Sequence, residues 1–172
     1  IRQTGAGAAG GCDLPARLYA VAAQVYALQV QADWVRRQAF PQTAQGEYLD
    51  LHAEMRGLRR KSAARAEGTV RFSAERSDRD RTIPRGTVCM TAGMMRFQTT
   101  EDGVIPAGST SADVKVQALE AGAAGNVLAG TVTVMASAPV GVASCTNPAA
   151  CAGGCDAEED ETLRERVLDT YK

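Results

Sequence analysis

The chain has 172 residues, a formal net charge of −1 and 45% hydrophobic residues. A chain of this length builds one or two domains and buries a sizeable core. The small net charge excludes a strong field that would attract nucleic acid or an acidic membrane, and no apolar stretch is long enough to span a bilayer. We therefore expect neither nucleic acid nor a membrane among its partners.

Residues 1–11 are rich in glycine and alanine, which is typical of a linker. Gly5, Gly7 and Gly10 match the spacing of a dinucleotide-binding fingerprint. That fingerprint needs a buried strand before it, and only four residues precede it here. We therefore interpret the segment as a linker and expect no cofactor.

A long helix is predicted from Asp13 to about Arg37. Asp13 suits its N-cap and Pro15 its first turn. Apolar residues step alternately by four and three positions and form a seam over three heptads, which Tyr19, Ala22, Ala23 and Tyr26 widen. The members of this heptad seam are Leu14, Leu18, Val21, Val25, Leu28, Ala32 and Val35.

A heptad seam of this length needs a partner helix, and the seam is therefore our candidate partner interface. The partner is either another part of this chain or a helix of a neighbouring subunit. The next predicted helix is too short to cover the whole seam. Both alternatives stay open from the sequence alone.

A second, shorter helix is predicted from about Thr43 to Arg56, because Pro41 ends the first helix. Gly57 suits the left-handed position after it, and the basic residues around 56–61 then lie near its negative end. We interpret His52 as a packed side chain rather than a catalytic one. The predicted apolar face consists of Tyr48, Leu51, Met55 and Leu58.

The region from 67 to 150 alternates with the period of β-strands, as in Val70, Phe72 and Ala74. Two similar turn signatures lie within it, Ile83–Thr87 and Ile105–Ser109, each with proline and then glycine. Closely spaced short strands of this kind predict an antiparallel sheet or sandwich. Further alternating strands are predicted at Val114, Val116 and Ala118, and at Val132, Val134 and Ala136.

A last helix is predicted after Asp156, which suits its N-cap, with Leu163, Val167 and Leu168 as its apolar stripe. The carboxylates between 156 and 161 stabilise a helix N-terminus and lack the spacing of an EF-hand. The predicted class is α+β. Its domains are a helical region (1–66), an antiparallel β domain (67–150) and an acidic-capped helix (151–172) that begins a connector to a C-terminal part missing from this chain.

The five cysteines are odd in number, which argues against a disulfide scaffold. Cys145, Cys151 and Cys155 cluster, but not with the spacing of a zinc site, and we expect no metal. We favour ordinary thiols in a reducing compartment. An enzyme that uses these three cysteines, directly or through a metal, and an exported β-sandwich adhesion module are the alternatives.

Several short motifs, in a fixed order from about residue 39 to 168, resemble the baseplate J-like proteins of contractile phage tails. Cys151 and Cys155 depart from the residues that the family pattern favours. The matching segments are Ala39-Phe40-Pro41-x-Thr43-Ala44-x-Gly46-Glu47-x-Leu49-Asp50, Gly57-Leu58-x-Arg60-Lys61, Ile83-Pro84-x-Gly86-Thr87, Ile105-Pro106-Ala107-Gly108, Ala121-Gly122-x-x-Gly125-Asn126-Val127, Thr146-Asn147-Pro148 and Gly153-Gly154-x-Asp156.

This resemblance implies a structural component of a baseplate wedge, with no enzymatic activity and no catalytic residue. It implies that the N-terminal helices join a bundle with neighbouring subunits and that the β domain is a rigid module. The implied partners are other wedge and hub proteins, together with further copies of the same chain in the ring. The implied location is the tail baseplate of a virion assembled in the cytoplasm of a bacterial host.

Overall fold

The computed structural model describes residues 13–172, so the glycine motif of residues 1–11 and Cys12 lie outside the described residues. The chain forms two compact units. Within the described residues, one unit takes 13–59 and 159–172, and the other takes 60–158. The domain boundaries predicted after residues 66 and 150 stay a prediction.

The first unit contains three helices, α1 (Asp13–Gln38), α2 (Glu47–Glu54) and α3 (Asp160–Asp169). Helices α2 and α3 pack against each other. The Arg164 guanidinium on α3 donates hydrogen bonds to the carbonyls of Pro41 and Ala44, which ties the segment before α2 to α3. The buried residues of this small core are Ala44, Leu49, Ala53, Leu163 and Val167.

The predicted apolar face of α2 is wrong in two of its four positions. Leu51 and Met55 are exposed, and the helix instead turns Leu49 and Ala53 into the core. A helix of two turns presents only one i, i+4 pair squarely to its neighbour, and the small side chain of Ala53 lets α3 approach closely. The end of α2 is as predicted: Gly57 has φ 70°, and the Leu58 amide donates to the carbonyl of Ala53 at 2.9 Å.

The predicted N-cap of the last helix is also wrong. Helix α3 begins at Asp160, four residues after Asp156. The Asp156 carboxylate instead accepts a hydrogen bond from the amide of Ala123 at 2.9 Å, at the start of a single 3-10 turn (Ala123–Gly125). Asp160 accepts from the Gly46 amide, also at 2.9 Å, which joins the starts of α2 and α3.

The second unit is an antiparallel sheet, which confirms the predicted α+β class. Six strands form the main sheet in the order β7-β3-β4-β6-β1-β8, and β2 pairs with β5 in a separate ribbon. The strands are β1 (Glu67–Ser73), β2 (Arg81–Ile83), β3 (Val88–Thr91), β4 (Arg96–Thr99), β5 (Gly103–Ile105), β6 (Ser111–Ala118), β7 (Val132–Met135) and β8 (Ser144–Thr146).

The two proline-glycine signatures end the two strands of the ribbon. Ile83 closes β2 and Ile105 closes β5, and both side chains are buried in the core. Gly86 and Gly108 follow in the left-handed region, with φ 84° and 82°, where a side chain would be strained. The repeated signature therefore marks the two ends of one antiparallel pair.

The sheet curls until its edge strands β7 and β8 contact each other, which makes it a nearly closed barrel. Asn147, directly after β8, is fully buried at this junction. Its Oδ1 accepts from the Val132 amide at 2.9 Å, while its Nδ2 donates to the carbonyls of Leu128 and Ala149 at 2.8 and 2.9 Å. This side chain adds to the backbone hydrogen bond from the Gly130 amide to the Asn147 carbonyl, 2.8 Å long, where β7 and β8 share no regular strand ladder.

The sequence pattern predicts that Val132, Val134 and Ala136 all face the core, but only Val132 is buried. The register of β3 and β7 shifts between Met90 and Thr91, so that β7 carries one extra residue. Val132 is buried, Val134 is exposed, and Met135 returns to pack against the core. The bulge reverses the alternation within the strand.

Replacing Asn147 with aspartate should destabilise the barrel by about 3 kcal/mol. The carboxylate cannot donate to the carbonyls of Leu128 and Ala149, and its charge would be buried without a cation. Calorimetry, with hydrogen exchange of the β7 and β8 amides, measures the loss.

Asn126→Asp is the matched control for that change. Asn126 is exposed, and its amide and carbonyl groups pair with the backbone of Gly154. Because water can replace the lost hydrogen bond, we expect a loss of about 1 kcal/mol or less. Equal effects of the two substitutions would contradict the assigned role of Asn147.

Candidate partner interface

The heptad seam is exposed along the whole of α1. Its central residues Val21, Val25 and Leu28 keep 58%, 50% and 66% of their surface accessible, so the described part of the chain does not cover the seam. Helix α1 is about 39 Å long and α2 is about 12 Å long at 1.5 Å per residue. The structure brings the seven seam residues onto one side of α1, and their role as an interface stays a prediction.

A second apolar face lies on the other side of α1. Tyr19 and Tyr26 do not widen the seam, since helix geometry places them roughly 130–145° from its centre. They share their side with Val30 and Trp34, and all four side chains are exposed. Sequence reasoning missed this face because the heptad pattern drew attention to one stripe.

Charged residues are confined to the ends of α1. The sequence from Leu18 to Ala32 contains none, and its polar residues are three glutamines. Near the end of the helix, Asp33 forms ion pairs with Arg36 at 2.6 Å and Arg37 at 2.9 Å. The hydrogen bond from Arg36 holds the pKa of the Asp33 carboxyl below its usual range. The middle of α1 can thus be covered without burying a charge.

The end of α1 is fastened to the segment that follows it. The rings of Trp34 and Tyr48 meet edge to face with centroids 5.1 Å apart. His52 Nε2 lies 2.9 Å from the carbonyl oxygen of Gln38, and the Thr43 hydroxyl donates to the carbonyl of Arg37 at 2.6 Å. His52 is thus partly buried in a structural contact, as its sequence context indicates.

The clustered cysteines do not converge on one point. Cys145 and Cys151 are buried in the barrel, where burial raises the pKa of Cys151, whereas Cys155 is exposed. Within residues 13–172, no three His, Cys, Asp or Glu side chains form a group that could hold a metal ion. In the same range, no helix combines the length and apolar character needed to cross a membrane.

The basic residues after α2 have partners within their own units. The Arg56 guanidinium lies 3.7 Å above the ring of Tyr171. Arg60 donates to the carbonyl of Glu158 at 2.7 Å, and the Lys61 amide donates to the Glu158 carboxylate at 3.0 Å. These contacts hold the basic residues against the folded chain.

A closed antiparallel barrel together with a long, exposed apolar helix is typical of a protein that assembles with others. A family model described as the baseplate J-like protein barrel domain matches residues 69–154, and the chain belongs to this family. The resemblance noted in the sequence is confirmed.

Three relatives have related sequences. Mu-like prophage FluMu protein gp47 of Haemophilus influenzae is 35% identical over 137 residues, which are 79% of this chain and 37% of the relative. The putative baseplate protein gp29 of Haemophilus phage HP1 is 35% identical over 133 residues, 74% of this chain and 34% of the relative. Baseplate protein gp47 of Escherichia phage Mu is 30% identical over 155 residues, which are 90% of this chain and 42% of the relative. The chain spans less than half of the length of these relatives.

A solved structure with a similar fold belongs to a contractile injection system. It is a chain of the anti-feeding prophage baseplate, determined by cryo-EM with six-fold symmetrisation. The TM-score is 0.56 at 11% sequence identity, over 94% of this chain and 49% of that chain. At this low sequence identity, the comparison shows a similar fold and nothing more.

The motifs that identified the family hold the barrel together. The Asn126 side chain pairs with the backbone of Gly154 in both directions at 2.8 Å. Gly154 has no room for a side chain, because a Cβ there would lie 2.4 Å from the carbonyl oxygen of Gly122. Asn126 and Gly154 of the family pattern therefore serve packing within the barrel unit.

Val25→Asp should leave the free energy of unfolding of the isolated chain within about 0.5 kcal/mol, because Val25 is half exposed. Leu163→Ala in the buried helical core should cost about 3 kcal/mol in the first unit. Urea unfolding followed by the fluorescence of Trp34 measures both. A large loss from Val25→Asp would show that the seam is already covered within the chain.

Proposed function

We propose that this chain is a structural, non-enzymatic part of the baseplate wedge of a contractile phage or prophage tail. The observation that carries the proposal is α1, which is apolar and exposed on two sides along its length. The names of two relatives describe baseplate proteins. The solved structure with the same fold comes from a baseplate as well.

The partners we propose are other wedge and hub proteins and further copies of this chain in the ring. The proposed location is the virion tail baseplate, assembled in the cytoplasm of the bacterial host. Helix α1 supplies the contact with the neighbouring helices. Its two apolar faces favour a bundle in which α1 has neighbours on both sides, since a helix that is apolar all round is a buried helix.

The energy available to such a bundle is large. Full burial of a leucine or valine side chain contributes about 1.5–3 kcal/mol, so the seven seam residues together supply on the order of 10 kcal/mol. Association costs on the order of 4–15 kcal/mol in lost translational and rotational entropy. Burial of the second face is therefore needed for a clearly favourable free energy of binding. Coverage of both faces therefore suits a permanent assembly better than a two-helix contact.

The barrel suits the role of a rigid module between helical segments. A sheet that closes on itself has few free edges, and this lowers the risk of strand pairing with neighbouring copies. The buried Asn147 side chain fixes the closure between β7 and β8. Many copies can thus be held close together in a ring without merging their sheets.

Assembly in cells that carry the tail gene cluster tests the proposal. Val25→Asp in the complete protein should abolish finished tails seen by electron microscopy, because the aspartate would be buried in the bundle without a partner. Gln31→Asp is the matched control, since it adds the same charge between the two apolar faces and should leave tail production within about twofold. Normal tails with Val25→Asp would refute the bundle.

Trp34 offers a second readout, because it is the single tryptophan of the chain and half exposed on the second face. Its emission should shift to shorter wavelength when partner subunits cover α1. Val25→Asp should abolish this shift, and Gln31→Asp should retain it. A folded Val25→Asp protein that shows the full shift would contradict the role of the seam.

A further inference from the structure

Helix α2 carries apolar side chains on two opposite sides. Leu49 and Ala53 form its buried side, while Leu51 and Met55 lie opposite and keep 56% and 82% of their surface accessible. Residues at i and i+4 are neighbours on one helix face, so the two exposed side chains form a pair. Such a pair on the outer side of a two-turn helix adds nothing to the core of its unit. The described part of the chain leaves it uncovered.

The exposed pair continues into the end of α1. Tyr48 lies one turn before Leu51 on α2, and its ring meets the ring of Trp34 edge to face at 5.1 Å. Trp34 is itself half exposed. Together Trp34, Tyr48, Leu51 and Met55 form one apolar surface, which we call the α2 corner. The corner adjoins the second face of α1 and not the heptad seam.

Two carboxylates follow one edge of the α2 corner. Glu47 and Glu54 lie roughly 40–60° around the helix from Leu51, on the side away from Tyr48. Both are exposed, and within residues 13–172 neither takes part in an ion pair. Glu47 stabilises the first turn of α2, but Glu54 is the last residue of the helix, where the helix dipole disfavours a negative charge. The stability of α2 therefore does not account for Glu54, and the edge favours a cation.

The size of the α2 corner suits a single helix. The largest apolar patch of a monomeric protein is on the order of 300–600 Å², whereas one side of a stable interface buries about 800 Å². Four side chains, none of them fully exposed, fall into the smaller class. Two copies of the corner would therefore not hold a dimer together by themselves. One apolar stripe of an amphipathic helix covers a surface of this size.

We propose that the α2 corner docks an amphipathic helix of a partner protein that carries lysine or arginine along one edge. The apolar stripe of that helix covers Leu51, Met55 and Trp34. Its basic residues, two turns apart, pair with Glu47 and Glu54. The inference stands without the wedge assignment, because it uses neither the heptad seam nor the barrel.

Peptide titration of the whole chain, followed by the fluorescence of Trp34, tests the inference. The probe is a short helical peptide without tryptophan, with a leucine stripe and two lysines placed two turns apart along one edge. A second peptide carries glutamate in place of both lysines. We expect the lysine peptide to shift the Trp34 emission to shorter wavelength and to bind about tenfold more tightly than the glutamate peptide. Added salt should reduce this difference.

Variants of the apolar residues show where the peptide binds. Leu51→Ser combined with Met55→Ser should weaken binding of the lysine peptide by about tenfold or more, because two apolar contacts are lost. Val25→Ser in the heptad seam is the matched control. It should leave the affinity within about twofold, since the seam lies on the other side of α1.

Variants of the carboxylates test the charged edge and keep the apolar surface intact, so they remain decisive if the serine variants fail to fold. Glu47→Gln combined with Glu54→Gln should bring the affinities of the two peptides to within about twofold of each other. Glu75→Gln combined with Glu165→Gln is the matched control, since it changes the net charge equally at two exposed sites outside the corner. The control should retain the tenfold difference.

Four results would overturn the inference. The first is no binding of the lysine peptide, and the second is equal binding of the two peptides. The third is binding that Val25→Ser weakens and the corner variants do not, which would place the peptide on the seam. The fourth is a dimer of the free chain, seen by sedimentation, that Leu51→Ser dissolves, because a second copy would then occupy the corner. Tail assembly with Val25→Asp reports on the seam alone, so the two proposals fail separately.

Discussion

The barrel depends on the buried amide of Asn147. Backbone pairing holds five of the six junctions around the closed sheet, and at the sixth, between β7 and β8, a single side chain satisfies two carbonyls and one amide. Phe72 and Phe97 lie in the core that this junction seals. Leaving a buried polar group without a partner costs more free energy than a hydrogen bond contributes. The Asn147 side chain therefore stabilises the barrel mainly by giving partners to backbone groups that would otherwise be unsatisfied.

Each unit has its own buried core, but α1 lies outside both. It leaves two apolar faces in contact with water. Most helical stability in proteins comes from tertiary packing, and the packing contacts described for α1 lie at its C-terminal end, as in the ring contact of Trp34 with Tyr48. Partner helices that cover α1 would therefore order it as well as bind it, which links folding of the helix to assembly.

Local patterns predicted much of this structure. The span of α1, the glycine after α2 and the strand of Val70 and Phe72 follow from capping and periodicity, which act within a few residues. The errors fall where distant contacts decide. Asp156 binds a turn more than thirty residues earlier in the chain, and β7 is bulged by its pairing with β3. For the candidate interface, the heptad pattern predicted the seam. It did not predict the second face, because Tyr19 and Tyr26 lie outside the heptad positions.

Family membership and choice of partner belong to different parts of this chain. The family model covers residues 69–154, and α1 lies entirely outside that range. The glycines and asparagines that identify the family serve barrel closure, so they say little about which helices α1 meets. In the proposed bundle, ion pairs would not select the partner along residues 18–32, because these residues carry no charge. Selection would instead rest on the shapes of the two apolar faces and on the charged residues Asp33, Arg36 and Arg37 at the end of α1.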